Sequence, residues 1–364
     1  MRIALLGAGH IGQTIARLLG DSGDYHVTVV DRHETALAHC AGRGTTTQVV
    51  DIDDRRALAA VLRGQDAVVN ALPYHLATAA AHLALEAGCH YFDLTEDVAA
   101  TKEIMHIADG ARTAFMPQCG LAPGFIGIVA QHLARSFDTL HDVKMRVGAL
   151  PAFPTNALKY NLTWSVDGLI NEYCHPCEAI NDGELISALP LEGLEHFSLD
   201  GTEYEAFNTS GGLGTLCETL RGKVHNLDYK TVRYPGHRDL MSFLLHDLKL
   251  KGDQELLKGV MRRAMPATMQ DVVLVFVTVS GMKNGYLLQE VFARKIFADR
   301  SEGHPLSAIQ ITTAAGICAA VDLFREGKLP QRGFIRQEQV ELPAFLANRF
   351  GSAYQQSRQV ESIG

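Results

Sequence analysis

Asp93 and His237 are the residues of this sequence whose types and positions best suit proton transfer. Asp93 lies in YFDLTED at the end of a predicted strand, and His237 lies in RYPGHRDLM between a Pro-Gly turn and a helix. An imidazole has an unperturbed pKa of about 6.5, and carboxylates are common general bases. Alternatively, Asp93 caps the helix near Val98 or holds a loop, and His237 is a surface or capping histidine.

Tyr91 and Cys119 are candidates to line the same catalytic site. Tyr91 precedes Asp93 by two residues, so in a regular strand both side chains lie on one face. Cys119 belongs to QCGLAPGFIG (118–127), which follows an apolar run ending near Pro117. The alternative for Cys119 is an ordinary buried thiol.

A third chemical pattern is the C-x-x-C pair of Cys174 and Cys177. This spacing occurs in redox dithiols and in half of some zinc sites. The sequence has no second C-x-x-C, and the pair lies outside any thioredoxin-like βαβ pattern. We therefore predict two packed thiols and no metal site.

The N-terminal segment predicts a dinucleotide site. An apolar strand, Arg2–Leu6, leads into GAGHIG, and a helix follows over 13–19. This context gives the G-x-G-x-x-G pattern its meaning: the glycines permit a tight turn and a close approach of the pyrophosphate to the helix N-terminus. The predicted cofactor-binding residues of this segment are Gly7, Gly9, His10, Ile11 and Gly12.

Acidic residues at the ends of the next two strands bear on the choice of cofactor. Asp31 ends the second strand, 19 positions after Gly12, where a carboxylate holds the ribose 2′-OH of NAD. Arg32 directly after it keeps NADP possible, since a guanidinium binds phosphate. Asp51 either reaches the adenine or caps the next helix. We predict NAD, with NADP as the alternative.

Strand-like and helical segments alternate through the first third of the chain, which indicates an α/β fold with a doubly wound parallel sheet. The residues Ala71, Leu72 and Pro73 follow the fourth strand, at the edge where such sheets bind ligands. The further predicted strands are His26–Val30, Thr46–Val50, Ala67–Asn70, His90–Asp93 and Ala114–Pro117, with a helix at Ala77–Glu86.

The alternation stops after Asp142, which indicates a second domain of α+β type. Val272–Val279 and Tyr286–Ile296 flank Asn284-Gly285, the favoured two-residue hairpin turn. The helices predicted for the rest of the chain are Leu240–Leu248, Gln254–Met265 and the small-residue-rich Ile309–Arg325.

Composition excludes several functional classes. The net charge of −8 and a pI near 6.0, without a Lys/Arg cluster, give no support to a nucleic-acid partner. The longest apolar run, Val272–Val277, is far shorter than the roughly 18 residues of a membrane span. Seven scattered cysteines indicate reduced thiols. We expect a cytoplasmic protein without a membrane partner.

Motifs along essentially the whole chain resemble the saccharopine dehydrogenase family, which includes saccharopine reductases and lysine 6-dehydrogenases. These motifs are GAGHIG, NALP, YFDLTED, CGLAPG, YNLTWSVDGLINEY and TSGGLGTL, in that order. The resemblance implies a Rossmann domain at 1–120, an inserted α+β substrate domain at 121–304, and C-terminal helices at 305–350 that return to the Rossmann domain. It also implies a homodimer.

The same resemblance implies an NAD(P)-dependent oxidoreductase that acts on a C–N bond. The expected reaction converts saccharopine to glutamate and aminoadipate semialdehyde in lysine degradation, and it needs a base for the amine and a group that activates water. Three alternatives stay open: a lysine 6-dehydrogenase that releases ammonia, a carboxynorspermidine-type reductase, and a nucleotide-binding regulatory protein without turnover.

Such a substrate carries carboxylates and an amine, which directs attention to several polar residues. Arg233 and Arg238 flank the Pro-Gly turn and suit bidentate carboxylate binding. Asp167 stands where saccharopine reductases have an arginine, so it suits the amine of free lysine better. Trp164 lines the pocket or packs in the core. Backbone N–H groups before a helix form an anion site, or simply a capped helix start, at Asn208, Thr209, Ser210 and Gly211.

Overall fold

The computed structural model describes residues 1–299 and 305–355, which form two compact units. Unit 1 comprises Met1–Ile128 and Thr312–Ala353, and unit 2 comprises Val129–Ile311. The domain limits expected at residues 120, 304 and 350 stay predictions, and residue 304 lies outside the described part of the chain.

The described residues form fifteen strands and twelve α-helices. The strands are β1 Arg2–Leu6, β2 His26–Asp31, β3 Thr45–Val49, β4 Ala67–Asn70, β5 His90–Asp93, β6 Ala114–Met116, β7 Thr139–Pro151, β8 Cys177–Asn181, β9 Glu184–Ala188, β10 Glu195–Leu199, β11 Thr202–Asn208, β12 Val224–Arg233, β13 Asp271–Lys283, β14 Tyr286–Phe297 and β15 Gly333–Phe334. The helices are α1 His10–Asp21, α2 Glu34–Leu37, α3 Arg55–Leu62, α4 Ala77–Ala87, α5 Val98–Ala108, α6 Phe125–Ala134, α7 Val166–Cys174, α8 Leu216–Leu220, α9 His237–Ser242, α10 Gln254–Ala264, α11 Ala308–Arg325 and α12 Leu342–Ala347.

Unit 1 is built on a parallel sheet with the strand order β15-β6-β5-β4-β1-β2-β3. Its central strands are largely apolar, and β4 is buried at every position, because helices cover both faces of such a sheet. The order reverses between β1 and β4, so the carboxyl ends of these strands border a ligand crevice. The predicted doubly wound α/β fold is confirmed.

The C-terminal segment of unit 1 is fixed by the buried carboxylate of Asp322. This carboxylate accepts hydrogen bonds from the Tyr25 hydroxyl at 2.6 Å, from Asn348 Nδ2 at 2.8 Å and from an Arg349 guanidinium nitrogen at 2.7 Å. Although burial alone would raise the pKa of Asp322, these partners lower it to about 2. The charge therefore persists at neutral pH and ties residues 312–353 to Tyr25, directly before β2.

Unit 2 contains a mixed sheet in the order β10-β11-β12-β7-β13-β14, and β8 joins it through β12. The pairing of β12 with β7 is parallel, whereas β13 and β14 form the predicted hairpin. Asn284 and Gly285 have φ of 52° and 81° at its turn, as a type I′ turn requires. The helix predicted over Leu240–Leu248 is wrong in its bounds, since α9 ends at Ser242 and a π-helical turn continues over Phe243–Asp247.

One helix deserves comparison with a membrane span. By length and composition alone α11 passes the test, with a mean hydropathy of 1.2, but 72% of its residues are buried within the structure. The core helix of a water-soluble domain has the same properties, so this result carries little weight. All seven cysteines are buried and form no disulfide bond. This agrees with the reduced thiols expected from the sequence.

Candidate functional site

The glycine-rich turn after β1 has the shape of a nucleotide cradle. Gly7 has φ +101°, and a Cβ there would lie 2.9 Å from Ala71 O. A Cβ on Gly12 would lie only 2.0 Å from Gly7 O, whereas a Cβ on Gly9 would meet no atom within 4 Å. Gly12 thus packs the turn, and the exposed Gly9 at the start of α1 leaves open space for a phosphate.

Asp31 stands at the end of β2 as a charged group beside this turn. Its carboxylate accepts hydrogen bonds from Ala8 N at 2.8 Å and from His33 N at 2.9 Å. Although burial alone would raise the pKa of Asp31, these bonds lower it, so the carboxylate is ionised. Arg32 is exposed. The predicted ribose-binding position is therefore acidic, with a neighbouring guanidinium in solvent.

The remaining predicted nucleotide residues lie on loops of the same sheet edge. Asp51 accepts a hydrogen bond from Asp53 N at 3.0 Å. The capping role considered for it is wrong, because Asp54 caps α3 through Ala57 N. After β4, the loop Ala71–Leu72–Pro73 is held by Asn70, whose side-chain oxygen accepts from Leu72 N at 3.2 Å. His10 is exposed and Ile11 is half-buried at the start of α1.

Asp93 is fully buried at the end of β5 and links this strand end to the turn after β6. One carboxylate oxygen accepts from Thr95 N at 3.0 Å and from Gln118 N at 2.9 Å, and the other accepts from the Tyr91 hydroxyl at 2.8 Å. Burial raises the pKa of Asp93 to about 6, against the effect of these bonds. The helix-capping alternative is wrong, since Asp97 caps α5. The geometry fits the loop-holding alternative, and it confirms that Tyr91 and Asp93 share a face.

This hydrogen-bonded cluster extends to β4 and to the turn after β6. Asn70 Nδ2 donates to the Tyr91 oxygen at 3.1 Å. Gln118, directly after the segment that follows β6, has φ 66°, and Gly124 has φ 131°. A Cβ at Gly124 would clash, because it would lie 2.1 Å from Gly120 O. Asp93 thereby fixes the turn that redirects the chain into α6.

Cys119 is an inert thiol in this position. It is 1% exposed, its sulfur lies 3.1 Å from Met116 O, and Gln337 Nε2 donates to it at 3.2 Å. Burial and the neighbouring Asp93 raise the pKa of the Cys119 thiol well above its ordinary value, which disfavours the reactive thiolate. The buried-thiol alternative describes Cys119 best.

Glu96 was not among the residues selected from the sequence. It lies three residues after β5 and is half-buried. Burial raises the pKa of Glu96 to about 7, and the carboxylates of Asp97 and Asp93 add to the shift. A reachable carboxyl with such a pKa suits proton transfer at neutral pH.

In unit 2, His237 is part of a buried chain of hydrogen bonds. Arg233 Nε donates to the Tyr173 hydroxyl oxygen at 2.9 Å, and that hydroxyl lies 3.1 Å from His237 Nε2. His237 Nδ1 lies 2.9 Å from Leu158 O, an acceptor, so Nδ1 carries the proton. Nε2 therefore accepts from Tyr173.

This arrangement leaves His237 without a free lone pair for a substrate proton. Burial, and then the charge of Arg233, lower the pKa of His237 to about 3, so the ring is neutral at physiological pH. His237 is 1% exposed and is the first residue of α9. The prediction that it faces a cleft as a base is not favoured, because its proton acceptor is already engaged.

Other predicted substrate residues have partners within the protein. Asp167 lies 2.9 Å from Lys258 Nζ and 2.8 Å from an Arg262 nitrogen, so it does not provide an unpaired charge for an amine. Arg238 Nε donates to Leu191 O at 2.7 Å, and Arg238 pairs with Asp239. Both charged groups therefore have partners within the protein, which disfavours the substrate roles predicted for Asp167 and Arg238.

The predicted anion loop does not adjoin a helix N-terminus. Asn208 is the last residue of β11, and α8 begins at Leu216 with Thr215 as its cap. Ser210 N donates to Glu172 O at 3.1 Å, and Gly211 O accepts from Gly214 N at 3.2 Å. Thr209 is nonetheless buried, and its hydroxyl has no hydrogen-bond partner among residues 1–299 and 305–355.

Trp164 is half-buried and packs against an apolar cluster that contains Tyr160 and Tyr173, so core packing and a pocket role both stay open. Cys174 and Cys177 are packed, free thiols. The described residues contain no group of three or more His, Cys, Asp or Glu able to hold a metal ion.

The sequence analysis did not identify the residues that hold Arg233 and the start of α9 in place. Tyr173 and Tyr160 contact Arg233, and Glu205 accepts hydrogen bonds from Gly236 N and Arg238 N at the start of α9. Tyr173 and Glu205 are polar residues within a largely buried helix and strand, whereas Tyr160 lies in a loop and carries no comparable sequence signal.

Two family models and a solved structure all relate this chain to the same protein family. Residues 3–114 match the saccharopine dehydrogenase NADP binding domain, and residues 120–348 match the saccharopine dehydrogenase C-terminal domain. A solved structure, apo saccharopine dehydrogenase (L-Glu forming) from Saccharomyces cerevisiae, superposes with a TM-score of 0.76 at 16% identity and covers 94% of this chain and 96% of that chain. At this identity the superposition shows the fold.

Curated relatives are longer than this chain. Mitochondrial alpha-aminoadipic semialdehyde synthases from Rattus norvegicus and Mus musculus are each 21% identical over 326 residues, which is 83% of this chain and 34% of each relative. The chain thus spans about a third of the length of these relatives. With the open space over Gly9, the family match identifies unit 1 as an NAD(P)-binding unit.

We predict opposite effects for two glycine substitutions in the nucleotide cradle. Gly9→Ala should leave the free energy of unfolding unchanged, because its Cβ meets no atom, but it should weaken NAD(P) binding about tenfold or more through loss of phosphate contact. Gly12→Ala should lower the free energy of unfolding by roughly 1–3 kcal/mol. Urea unfolding measures the free energy of unfolding, and calorimetric titration with nucleotide measures NAD(P) binding. Equal losses of stability in the two variants would contradict the packing role of Gly12 and the phosphate-binding role of Gly9.

Replacing Asp93 separates a holding role from a catalytic one. Asp93→Asn keeps an acceptor for Thr95 N and Gln118 N, and Tyr91 then donates to Ala77 O, already 3.0 Å away. We expect kcat within about tenfold of wild type, whereas loss of a general base costs roughly 100-fold or more. Asp93→Ala should destabilise by roughly 3 kcal/mol. A 100-fold loss in the Asn variant at unchanged stability would make Asp93 a base.

The raised pKa of Asp93 predicts a pH dependence of stability. The pKa of Asp93 in the folded protein is about 6, above its ordinary value of 3.8. Between pH 3.8 and pH 6 the native state therefore binds more protons than the unfolded state. The stability that Asp93 contributes is present below pH 3.8 and is lost as pH rises through 6. Relative to wild type, Asp93→Asn should gain on the order of 2 kcal/mol between pH 4 and 7. Parallel urea titrations that show a constant difference would refute this.

Proposed function

The chain belongs to the saccharopine dehydrogenase family, whose members are NAD(P)-dependent oxidoreductases, and we propose that it oxidises a C–N bond in an amino acid. The substrate that the family match favours is saccharopine, with glutamate and aminoadipate semialdehyde as products. The regulatory alternative without turnover loses support, because a half-buried carboxyl of suitable pKa lies at the ligand edge of the nucleotide sheet.

One observation carries the substrate class. Arg233 is 2% exposed and forms no ion pair within the described part of the chain. A buried guanidinium without a carboxylate partner is costly, and its planar fork matches a carboxylate. A carboxylate-bearing amine therefore agrees with unit 2, and nucleotide binding agrees with unit 1.

The proposed reaction assigns a proton acceptor to unit 1. A nicotinamide held by unit 1 would supply the acceptor for a hydride from the carbon next to nitrogen. The amine must be unprotonated for this step, and the resulting C=N bond then takes up water and breaks into an aldehyde and an amine. We assign the proton acceptor to Glu96 in preference to Asp93, because Asp93 is fully buried with its oxygens engaged, whereas Glu96 is half-buried with a pKa of about 7.

The ionised Asp31 supports NAD over NADP. Its carboxylate occupies the end of β2 with a lowered pKa, so a 2′-phosphate at that position would meet a negative charge. Arg32 is exposed and has rotational freedom to approach such a phosphate. NADP is thus the weaker ligand in this proposal, in line with the sequence-based expectation.

A second candidate is a lysine 6-dehydrogenase, which needs only one carboxylate anchor. Arg233 supplies one such anchor, whereas Arg238, the other predicted one, is bound to Leu191 O and Asp239. This observation favours a substrate with a single carboxylate, such as free lysine.

Nicotinamide reduction by the purified protein tests both candidates. Saccharopine and L-lysine are each incubated with NAD or NADP at mildly alkaline pH. We expect reduced nicotinamide with NAD; turnover of saccharopine alone supports the first candidate, and turnover of lysine with ammonia release supports the second. Absence of reduction with both amines would overturn the proposal.

Substitution of the proposed proton acceptor gives a sharper test. Glu96→Gln should lower kcat about 100-fold or more without loss of stability, because Asp97 rather than Glu96 caps α5 and loss of a carboxylate whose pKa burial raises favours the folded state at neutral pH. Asp97→Asn, which keeps a capping oxygen, is the matched control. Wild-type kcat in the Gln variant would remove Glu96 from the mechanism.

A further inference from the structure

Two exposed histidines lie side by side on neighbouring strands of unit 2. Asp142 on β7 is paired with Asn226 on β12 in parallel register, so the residues directly before them, His141 and His225, are also neighbours. Their side chains are 57% and 44% exposed. The centres of the two rings are 5.0 Å apart, and the ring planes make an angle of 81°. The two imidazoles therefore form a contacting pair that solvent reaches.

One ring nitrogen of each histidine faces a carboxylate. His141 Nδ1 lies 3.3 Å from a carboxylate oxygen of Asp142, and His225 Nε2 lies 3.6 Å from one of Asp182. The other two nitrogens, His141 Nε2 and His225 Nδ1, have no hydrogen-bond partner within residues 1–299 and 305–355. In metal sites a carboxylate commonly accepts from one nitrogen of a histidine, which fixes the tautomer and leaves the lone pair of the other nitrogen for the metal ion. Both histidines have this arrangement.

The two carboxylates are held in place by Asn226. Its Nδ2 donates to Asp142 at 2.8 Å, and its Oδ1 accepts from Asp182 N at 3.1 Å. Ser280 Oγ donates to the Asp142 carboxylate at 3.2 Å. Asp182 belongs to the turn between β8 and β9, so this one amide side chain joins a strand and a turn. Asn226 thereby positions both carboxylates and, through them, both imidazoles.

The separation of the two rings suits a single shared metal ion. Histidine nitrogens bind Zn²⁺ at about 2.1 Å, so two imidazoles that bind one ion at a tetrahedral angle have ring centres roughly 5 Å apart. The observed distance of 5.0 Å agrees with this geometry. Imidazole suits Ni²⁺, Cu²⁺ and Zn²⁺, whereas Mg²⁺ and Ca²⁺ prefer oxygen ligands. The chemistry of this pair therefore favours a divalent transition-metal ion.

We propose that His141 and His225 form a chelating site for a divalent transition-metal ion at the surface of unit 2, with His141 Nε2 and His225 Nδ1 as its ligands. Asp142, Asp182 and Asn226 are positioning residues. The described residues provide no group of three or more His, Cys, Asp or Glu ligands, so water fills the other coordination positions and the ion exchanges with solvent. The site is independent of the proposed oxidation.

Calorimetric titration of the untagged, full-length protein with nickel chloride tests this site. We expect one saturable Ni²⁺ site per chain and no saturation by magnesium chloride over the same range. His141→Gln or His225→Gln reduces the chelate to one imidazole, so the Kd of Ni²⁺ should rise on the order of 100-fold. The chain has sixteen histidines, and His82→Gln, which replaces an exposed histidine on α4, is the matched control that should keep the wild-type Kd.

Three results would overturn the chelate. These are an absence of saturable Ni²⁺ binding, equal Kd values in wild type and either variant of the pair, and an equal loss of affinity in His82→Gln. Wild-type protein alone provides a second measurement, because the electron paramagnetic resonance spectrum of its complex with one equivalent of Cu²⁺ should show coupling to two imidazole nitrogens. Coupling to a single nitrogen would also overturn the chelate.

Asp142→Asn tests the positioning role. The amide has the size of the carboxylate and keeps an oxygen, but it lacks the charge that holds the His141 ring. Loss of such a partner typically weakens metal binding about tenfold or more, so the Kd of Ni²⁺ should rise while Cu²⁺ still couples to two nitrogens. A purely structural role of Asp142 would change the free energy of unfolding and leave this Kd unchanged, which would refute positioning.

Discussion

Burial of charge is the constraint on which both units depend. An ionised group in a protein interior is costly unless its partners replace water. In unit 1 the carboxylate of Asp93 is fully buried but has backbone and tyrosine donors, so it links the end of β5 to the turn after β6. In unit 2 the guanidinium of Arg233 is also buried; it donates to the Tyr173 hydroxyl and to Val232 O and forms no ion pair within the described part of the chain. The first pattern is that of a structural group, and the second agrees with the carboxylate-binding role proposed above for Arg233.

This difference assigns separate chemical tasks to the two units. Unit 1 provides a glycine turn with room above Gly9, an ionised Asp31 and a half-buried Glu96, which suit nucleotide binding and proton transfer. Unit 2 provides a rigid cation among aromatic rings, which suits recognition of a carboxylate. Together with the family match, these features agree with oxidation of an amine that also carries a carboxylate.

Local patterns in the sequence were sufficient for most of the fold. The strands at 67–70 and 90–93 were predicted with the observed bounds, and the Asn284-Gly285 hairpin was predicted, because these depend on apolar runs and turn residues close in the chain. The site was less predictable, because long-range partners decide it. The ion pairs of Asp167 with α10 and the proton on His237 Nδ1 depend on residues far along the chain. A histidine suits catalysis by type, but only its neighbours show that its lone pair is engaged.

Transfer of deuterium tests the central claim most directly. An amine substrate labelled with deuterium on the carbon next to nitrogen is incubated with the protein and NAD, and the reduced nucleotide is analysed by mass spectrometry. The account predicts one deuterium in each reduced nicotinamide, together with cleavage of the C–N bond. Reduced nucleotide without deuterium, or no reduced nucleotide at all, would contradict oxidation at that carbon.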